Sequence, residues 1–177
     1  MAAKKVVFFC SANKDISPKY NQAARSVVRA ACLAGYTIVS GGSWRGTMGV
    51  VCDAAKECGA PNEGVLPDFM HGLEYEGLTR LEWTPDMATR KTLMREGTDL
   101  AVALPGGIGT MDEMFETAVL KKLGQYHGRV VVFNAFGFFE PLRALLQHFV
   151  KEGMLTREDY EAIEFVDTEE EMCSLFK

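Results

Sequence analysis

Short apolar runs alternate along this chain with amphipathic stretches, and this alternation restricts the fold more than any other feature of the sequence. Several of the apolar runs have the length of β-strands and are hydrophobic at nearly every position, which is typical of strands buried on both faces of a sheet. The stretches between them have the period of helices that bury one side. We therefore predict an α/β fold of the Rossmann-like, doubly wound type, with a parallel sheet between two layers of helices and three layers in all.

The predicted elements follow one another through the whole chain. Strands are predicted at residues 5–10, 37–40, 63–66, 78–83, 100–104, 129–134 and 163–166, and helices at 21–33, 48–57, 87–95, 111–123, 141–152 and 168–176. No repeat or linker-like segment interrupts them, which predicts one nucleotide-binding domain over residues 1–177. Ligands bind such sheets at the carboxyl ends of the strands, so function is expected in the loops after Cys10, Ser40 and Leu104.

The charge of the chain argues against polyanionic partners. It has 19 Lys and Arg against 24 Asp and Glu, a net charge of −5, with no basic run. Nucleic acids and anionic membranes attract clustered positive charge, so neither is expected as a partner. No apolar stretch approaches the roughly 20 residues that a membrane span requires.

Cysteine and histidine usage indicates the compartment and the absence of a metal site. The five cysteines include no C-x-x-C pair, which is typical of thiols in a reducing environment and predicts a cytoplasmic protein. The three histidines have no metal-ligand spacing, and we expect no metal.

Two glycine clusters follow predicted strands, and their spacing excludes three familiar motifs. The first loop has Thr47 where a P-loop needs lysine, and Arg45 where a nucleophile elbow needs glycine. The second loop has Asp112 where a dinucleotide fingerprint needs its third glycine. A triphosphate site, an acyl-transfer serine and a dinucleotide site are therefore not expected.

The second loop reads Pro-Gly-Gly-Ile-Gly-Thr before a predicted helix, a pattern that suits a phosphate. The start of a helix offers free N–H groups, and Gly106, Gly107 and Gly109 would let an anion approach the backbone. The hydroxyl of Thr110 could add a donor. A tight turn explains the same glycines without a ligand. Glu113 also has two interpretations, since Thr-x-x-Glu is a capping box as well as a place for catalytic chemistry.

Arg90 and Lys91 lie together on a predicted short helix. Neighbours on a helix point about 100° apart, so one of the two can enter a pocket while the other stays in solvent. Without further information, the pattern predicts that both are surface charges.

Taken together, these motifs resemble the Lonely Guy (LOG) family, and the resemblance covers nearly the whole chain. It rests on the run from Pro105 to Glu113, on Arg90-Lys91 and on the glycine loop at 41–49. The family comprises cytokinin riboside 5′-monophosphate phosphoribohydrolases, with relatives that hydrolyse AMP, and was long labelled "possible lysine decarboxylase".

This chain departs from the family pattern at two places. Met-Ala-Thr precedes Arg90 where the family usually has Met-His-Glu, and Ser43 and Thr47 replace a glycine and a leucine of the first loop. Because Arg90 and Glu113, which family members use in catalysis, are both present, the departures concern the choice of base more than the chemistry.

The resemblance implies hydrolysis of the N-glycosidic bond of an adenine or N6-prenylated adenine nucleoside 5′-monophosphate, giving free base (adenine or cytokinin) and ribose 5-phosphate. It implies a homodimer whose partner subunit completes the pocket. No cofactor is expected, since a decarboxylase would hold pyridoxal phosphate on a lysine and no lysine here has a recognisable setting for it. The alternative is a non-catalytic nucleotide or molybdenum-cofactor carrier, which would need neither Glu113 nor Arg90.

Each candidate site residue has an expected role. Glu113 would stabilise positive charge on the sugar and activate water, and Arg90 would bind the phosphate or ribose or assist the departing base. The remaining candidates are Gly106, Gly107, Gly109, Thr110 and Ser11 for the phosphate and ribose, Met87 and Met48 for the base, and Gly41, Gly42 and Gly46 in the first glycine loop.

Overall fold

The computed structural model describes residues 4–176, so the predicted domain ends at residues 1 and 177 lie outside the described residues. Seven strands form one sheet: β1 Lys5–Phe9, β2 Thr37–Ser40, β3 Asn62–Pro67, β4 Arg80–Thr84, β5 Leu100–Ala103, β6 Arg129–Phe133 and β7 Ile163–Val166. All neighbouring strands are parallel, in the order β4-β3-β2-β1-β5-β6-β7. The strand order reverses between β1 and β5, which makes their carboxyl ends the expected ligand site.

The helices cover both faces of this sheet. They are α1 Pro18–Leu33, α2 Gly46–Glu57, α3 Met87–Arg95, α4 Ile108–Lys122, α5 Glu140–Lys151, α6 Arg157–Glu161 and α7 Glu169–Ser174, with short 3₁₀ turns at Asp68–Met70 and Ala135–Gly137. The prediction of a Rossmann-like, doubly wound α/β fold is confirmed. The five-residue α6 was not predicted, because it is too short to show an apolar stripe.

Alternating side chains of each strand separate the core into two apolar clusters. Val6 and Phe8 of β1 pack with residues of α1, α2 and α7, whereas Val7 and Phe9 pack on the opposite face with residues of α3, α4 and α5. This division produces the three layers. Both clusters hold β1 from opposite sides, so the strand whose end begins the ligand site is fully enclosed.

Within residues 4–176, no helix combines the length and the apolar character that crossing a bilayer requires.

Candidate active site

A cleft of about 270 Å³ opens at the carboxyl edge of the sheet, where β1, β2, β3 and β5 end. The loops after these strands supply one wall, and α3 and α4 supply the other. Its lining consists of Phe8, Cys10, Ser11, Ala12, Gly41, Met48, Met70, Met87, Arg90, Met94, Gly107, Gly109, Thr110, Asp112 and Glu113. The cleft is therefore at the reversal of strand order, where a doubly wound sheet binds its ligands.

Most of the predicted site residues come together in this cleft, and three glycines do not. The lining includes Glu113, Arg90, Gly107, Gly109, Thr110, Ser11, Met87, Met48 and Gly41, whereas Gly106, Gly42 and Gly46 are absent from it. The three glycines lie outside the lining and allow close packing within the loops that form the walls of the cleft. A Cβ on Gly106 would lie 2.1 Å from the Thr110 Oγ1, so glycine there allows the threonine side chain to pack against the loop.

The first glycine loop needs glycine for its backbone. Gly42 and Gly46 have positive φ angles of 71° and 55°, which residues other than glycine rarely adopt. A Cβ on Gly46 would also lie 2.6 Å from the carbonyl carbon of Ala12. The start of α2 thus packs directly on the loop after β1, and the Thr47 N–H donates to the Ser11 carbonyl at 2.9 Å.

Helix α4 begins earlier than predicted, and its start bears on the capping-box interpretation of Glu113. The N-cap is Gly107, which has no capping side chain, and Met111 N–H makes the first bond back to the Gly107 carbonyl at 3.1 Å. Thr110 therefore lies inside the first turn, and the capping-box interpretation of Thr110 and Glu113 is wrong. The N–H groups of Ile108, Gly109 and Thr110 have no acceptor within the helix, as at any helix start.

Gly107 and Gly109 border open space. A Cβ built on either residue would meet no atom within 4 Å, and neither residue has a positive φ angle. The protein's own packing thus does not require glycine at these positions. Both residues line the cleft beside the free N–H groups, and the absence of side chains leaves this backbone accessible to an anion.

Glu113 and Arg90 form a buried ion pair at the centre of the cleft. Arg90 Nη1 donates to Glu113 Oε1 at 3.0 Å, and Arg90 Nε donates to the carbonyl of Val65 in β3 at 2.8 Å. Only 9% of Glu113 and 7% of Arg90 is exposed. Gly41 makes room for the guanidinium, since a Cβ there would lie 2.2 Å from Arg90 Nη2.

Burial dominates the electrostatics of this pair. It raises the pKa of Glu113 from 4.5 to about 7, although the neighbouring Arg90 guanidinium acts in the opposite direction. Burial, followed by the nearby Glu113 carboxylate, also raises the pKa of Cys10 well above its usual value. The thiol at the end of β1 therefore stays protonated, whereas the Glu113 carboxyl titrates near neutral pH.

Four methionines form the apolar part of the cleft: Met48, Met70, Met87 and Met94. Met48 and Met87 were predicted from the sequence, whereas Met70 and Met94 were not. Met70 follows β3 at the same edge of the sheet, and Met94 lies one helical turn after Arg90. Both positions were recognisable from the topology and the helical period. Nothing in the sequence distinguished Phe8, Ala12 or Asp112.

Within residues 4–176, no group of three or more His, Cys, Asp or Glu side chains is arranged to hold a metal ion. The polar groups of the cleft are two carboxylates, a guanidinium, hydroxyls, a thiol and backbone amides. Such a set can bind an anion, stabilise a nearby cation and exchange a proton.

Solved structures support the fold. The molybdenum cofactor binding protein of Rippkaea orientalis superposes with a TM-score of 0.75 at 18% identity, covering 99% of this chain and 96% of the other. The molybdenum cofactor carrier protein of Chlamydomonas reinhardtii gives 0.74 at 17% identity, over 98% and 95%. At this identity the likeness concerns the fold alone.

Relatives identified by sequence share a higher identity with this chain than these solved structures do. A protein of Rhodococcoides fascians named cytokinin riboside 5′-monophosphate phosphoribohydrolase is 35% identical over 156 residues, 86% of this chain and 79% of the relative. A protein of the same name from Mycobacterium tuberculosis is 32% identical over 164 residues, 92% and 87% of the two chains. The sequence model of the family described as "possible lysine decarboxylase" matches residues 48–176. The chain therefore belongs to the LOG family, as its glycine loops and its Arg90 and Glu113 indicated.

Proposed function

We propose that this protein hydrolyses the N-glycosidic bond of a purine nucleoside 5′-monophosphate, with adenine or an N6-prenylated adenine as the base, and releases the free base and ribose 5-phosphate. The observation that carries the proposal is the buried Glu113–Arg90 pair, joined at 3.0 Å, one helical turn from the free N–H groups at the start of α4. The names of the sequence relatives support the same activity.

The phosphate is held by the start of α4. The N–H groups of Ile108, Gly109 and Thr110 donate to its oxygens, the Thr110 hydroxyl adds a donor, and Ser11 contributes from the loop after β1. Helix starts bind phosphate because their unpaired N–H groups and the helix dipole both favour negative charge. This anchor places the ribose over the first turn of the helix, next to Glu113.

Glu113 assists the cleavage itself. The C1′–N bond breaks with its electron pair remaining on the base, which leaves an oxocarbenium-like sugar. The nearby carboxylate stabilises that positive charge and accepts a proton from the water that adds to C1′, while the departing base takes up a proton from solvent and Glu113 later returns its proton to solvent. Arg90 holds the carboxylate and directs its remaining N–H groups toward the ribose. Met48, Met70 and Met87 contact the base, and polarizable thioethers suit a flat ring. These steps require no cofactor.

The alternative of a nucleotide or molybdenum-cofactor carrier is supported by fold likeness alone. A carrier needs the anion cradle but has no use for a buried carboxylate beside the sugar. Incubation with AMP and with isopentenyladenosine monophosphate, followed by chromatography of the free bases, separates the two functions. Binding of either nucleotide without release of base would exclude the hydrolase.

The pH dependence of base release follows from Glu113. Burial raises its pKa to about 7, and the ionised form is the one that stabilises the cation. We therefore expect kcat/KM for AMP to fall as the pH decreases through about 7, where the carboxylate becomes protonated. A kcat/KM profile from about pH 5 to pH 9 measures this limb. A limb near the ordinary carboxyl value of 4.5 would contradict the assignment.

We also propose a homodimer in the cytoplasm. Helix α4 exposes an apolar stripe of Ile108, Phe115, Val119 and the adjoining Leu123, a pattern that suits burial against another surface. Ile108 borders the phosphate cradle, so a partner on this stripe would adjoin the cleft.

A reducing compartment fits the cysteines, because no disulfide joins any two described residues. We also propose that residues 1–177 form a single nucleotide-binding Rossmann-like domain.

A further inference from the structure

Lys91 follows Arg90 on α3, and its side chain is turned toward α4 instead of solvent. It is 14% exposed, its Nζ lies 3.0 Å from Asp112 Oδ1, and it also contacts Glu116. One turn further along α3, Arg95 Nη1 reaches Glu116 Oε1 at 2.8 Å. These four residues, Lys91, Arg95, Asp112 and Glu116, join the two helices, and we refer to them as the α3–α4 clamp.

The clamp is directly beside the Arg90–Glu113 pair on both helices. Lys91 follows Arg90, and Asp112 precedes Glu113. Helix α3 precedes β5 and α4 follows it, so backbone connection through β5 alone does not fix the two helices against each other. The clamp therefore bridges the two helices immediately beside the place where the guanidinium of Arg90 meets the carboxylate of Glu113.

We propose that Lys91 is a positioning residue of the active site, which holds the start of α4 through Asp112 and Glu116 and so fixes Glu113 against Arg90. This inference rests on the proposed hydrolase function. Its effect has two parts. The contacts maintain the geometry of the pair, and the charge of Lys91 contributes to the field around the Glu113 carboxylate.

The groups around Glu113 make these two parts separable. Arg90 of α3 contacts the carboxylate, and Lys91 of α3, Asp112 of α4 and Cys10 at the end of β1 interact with it electrostatically. Lys91 lowers the pKa of Glu113 whereas Asp112 raises it. Removing the lysine charge should therefore move the acid limb of activity to higher pH, and removing the aspartate charge should move it to lower pH. Simple loosening of the clamp would not produce opposite shifts.

The experiment compares Lys91→Met, Lys91→Arg and Asp112→Asn with the wild type, measuring kcat and KM for adenine release from AMP across pH. For Lys91→Met we expect kcat to fall about tenfold, as misplacement of a reacting group requires, with KM within about threefold. Its acid limb should rise by about half a pH unit, that of Asp112→Asn should fall, and Lys91→Arg should restore most of kcat. The matched control is Lys122→Met, which should leave kcat unchanged. It removes another ion pair of α4, in which Lys122 Nζ lies 2.7 Å from Asp159 Oδ2.

Lys91→Met with wild-type kcat and acid limb, or limbs of Lys91→Met and Asp112→Asn that move in the same direction, would overturn the proposal. A second readout does not depend on turnover: NMR titration of the Glu113 carboxyl carbon, assigned by comparison with Glu113→Gln. Opposite pKa shifts in the two variants support the charge role of Lys91 even if no base is released by the wild type, an outcome that would defeat the hydrolase function alone. Equal pKa shifts of Glu113 in the two variants would refute the charge role of Lys91. Asp112→Asn serves the same titration should Lys91→Met not fold.

Discussion

Replacing Glu113 with glutamine is expected to lower the rate of adenine release from AMP by about three orders of magnitude, while the affinity for AMP changes by less than about threefold. Glutamine has nearly the same shape and its carbonyl oxygen can still accept from Arg90, so the ion-pair geometry is largely kept. It has no negative charge to stabilise the sugar cation and cannot accept a proton from water. Because the phosphate anchor lies a turn earlier in α4, binding should persist.

Single-turnover measurement of adenine release gives the rate, and calorimetric titration with AMP gives the affinity. Glu57→Gln is the matched control, since Glu57 is about half exposed in a surface pair with Arg25, well outside the cleft lining. Its rate should equal that of the wild type. A Glu113→Gln variant that keeps more than about a tenth of the wild-type rate would remove Glu113 from the chemistry. Glu113→Ala, which also abolishes release in our proposal, tests whether the carbonyl oxygen contributes to holding Arg90.

The second large effect concerns the substrate's phosphate. Adenosine should be cleaved with a kcat/KM about three orders of magnitude below that of AMP, because the anchor at the start of α4 positions the ribose. The comparison uses the same assay for both compounds. Equal turnover of adenosine would refute the anchoring role of the second glycine loop.

Gly109→Ala links this effect to the cradle. The added methyl group would enter open space at a residue that lines the cleft, without meeting other parts of the protein within 4 Å. Alanine is favoured over glycine inside a helix by about 1 kcal/mol, so the variant should unfold at the same or a higher temperature. Its kcat/KM for AMP should nevertheless fall about tenfold, whereas that for adenosine stays constant, since no phosphate is there to be displaced. A parallel loss with both compounds would indicate a distorted helix instead of a blocked anion site.

Much of the fold could be predicted because its signals are local. Continuous apolar strands such as 129–134 and the stripe of α1 show their period within a few residues. Helix α6 was missed because its five residues are stabilised by a cap, the Thr156 hydroxyl accepting from the Asp159 N–H, and not by an apolar face. A cap without a stripe gives little signal against the surrounding polar residues.

The candidate site was predictable where one segment carries the chemistry, as in the second glycine loop. It was less so where chemistry depends on two segments. The capping-box interpretation of Glu113 depended on where α4 begins, and the partner of its carboxylate, Arg90, lies 23 positions earlier in the chain. Lys91 remained indistinguishable from a surface charge for the same reason. Its partners, Asp112 and Glu116, are brought close only by the packing of α3 on α4.

The Arg90–Glu113 pair joins the two halves of the sheet. The described residues up to the end of α3 belong to the half of the sheet that contains β1 to β4, where Arg90 Nε donates to the Val65 carbonyl. Glu113 comes from the half that contains β5 to β7. The halves meet where β1 pairs with β5. The exposed turn at Gly97, between α3 and β5, is therefore a natural cut site for a split enzyme. Each fragment would carry one member of the pair, and recovered turnover would report that the fragments had reassociated.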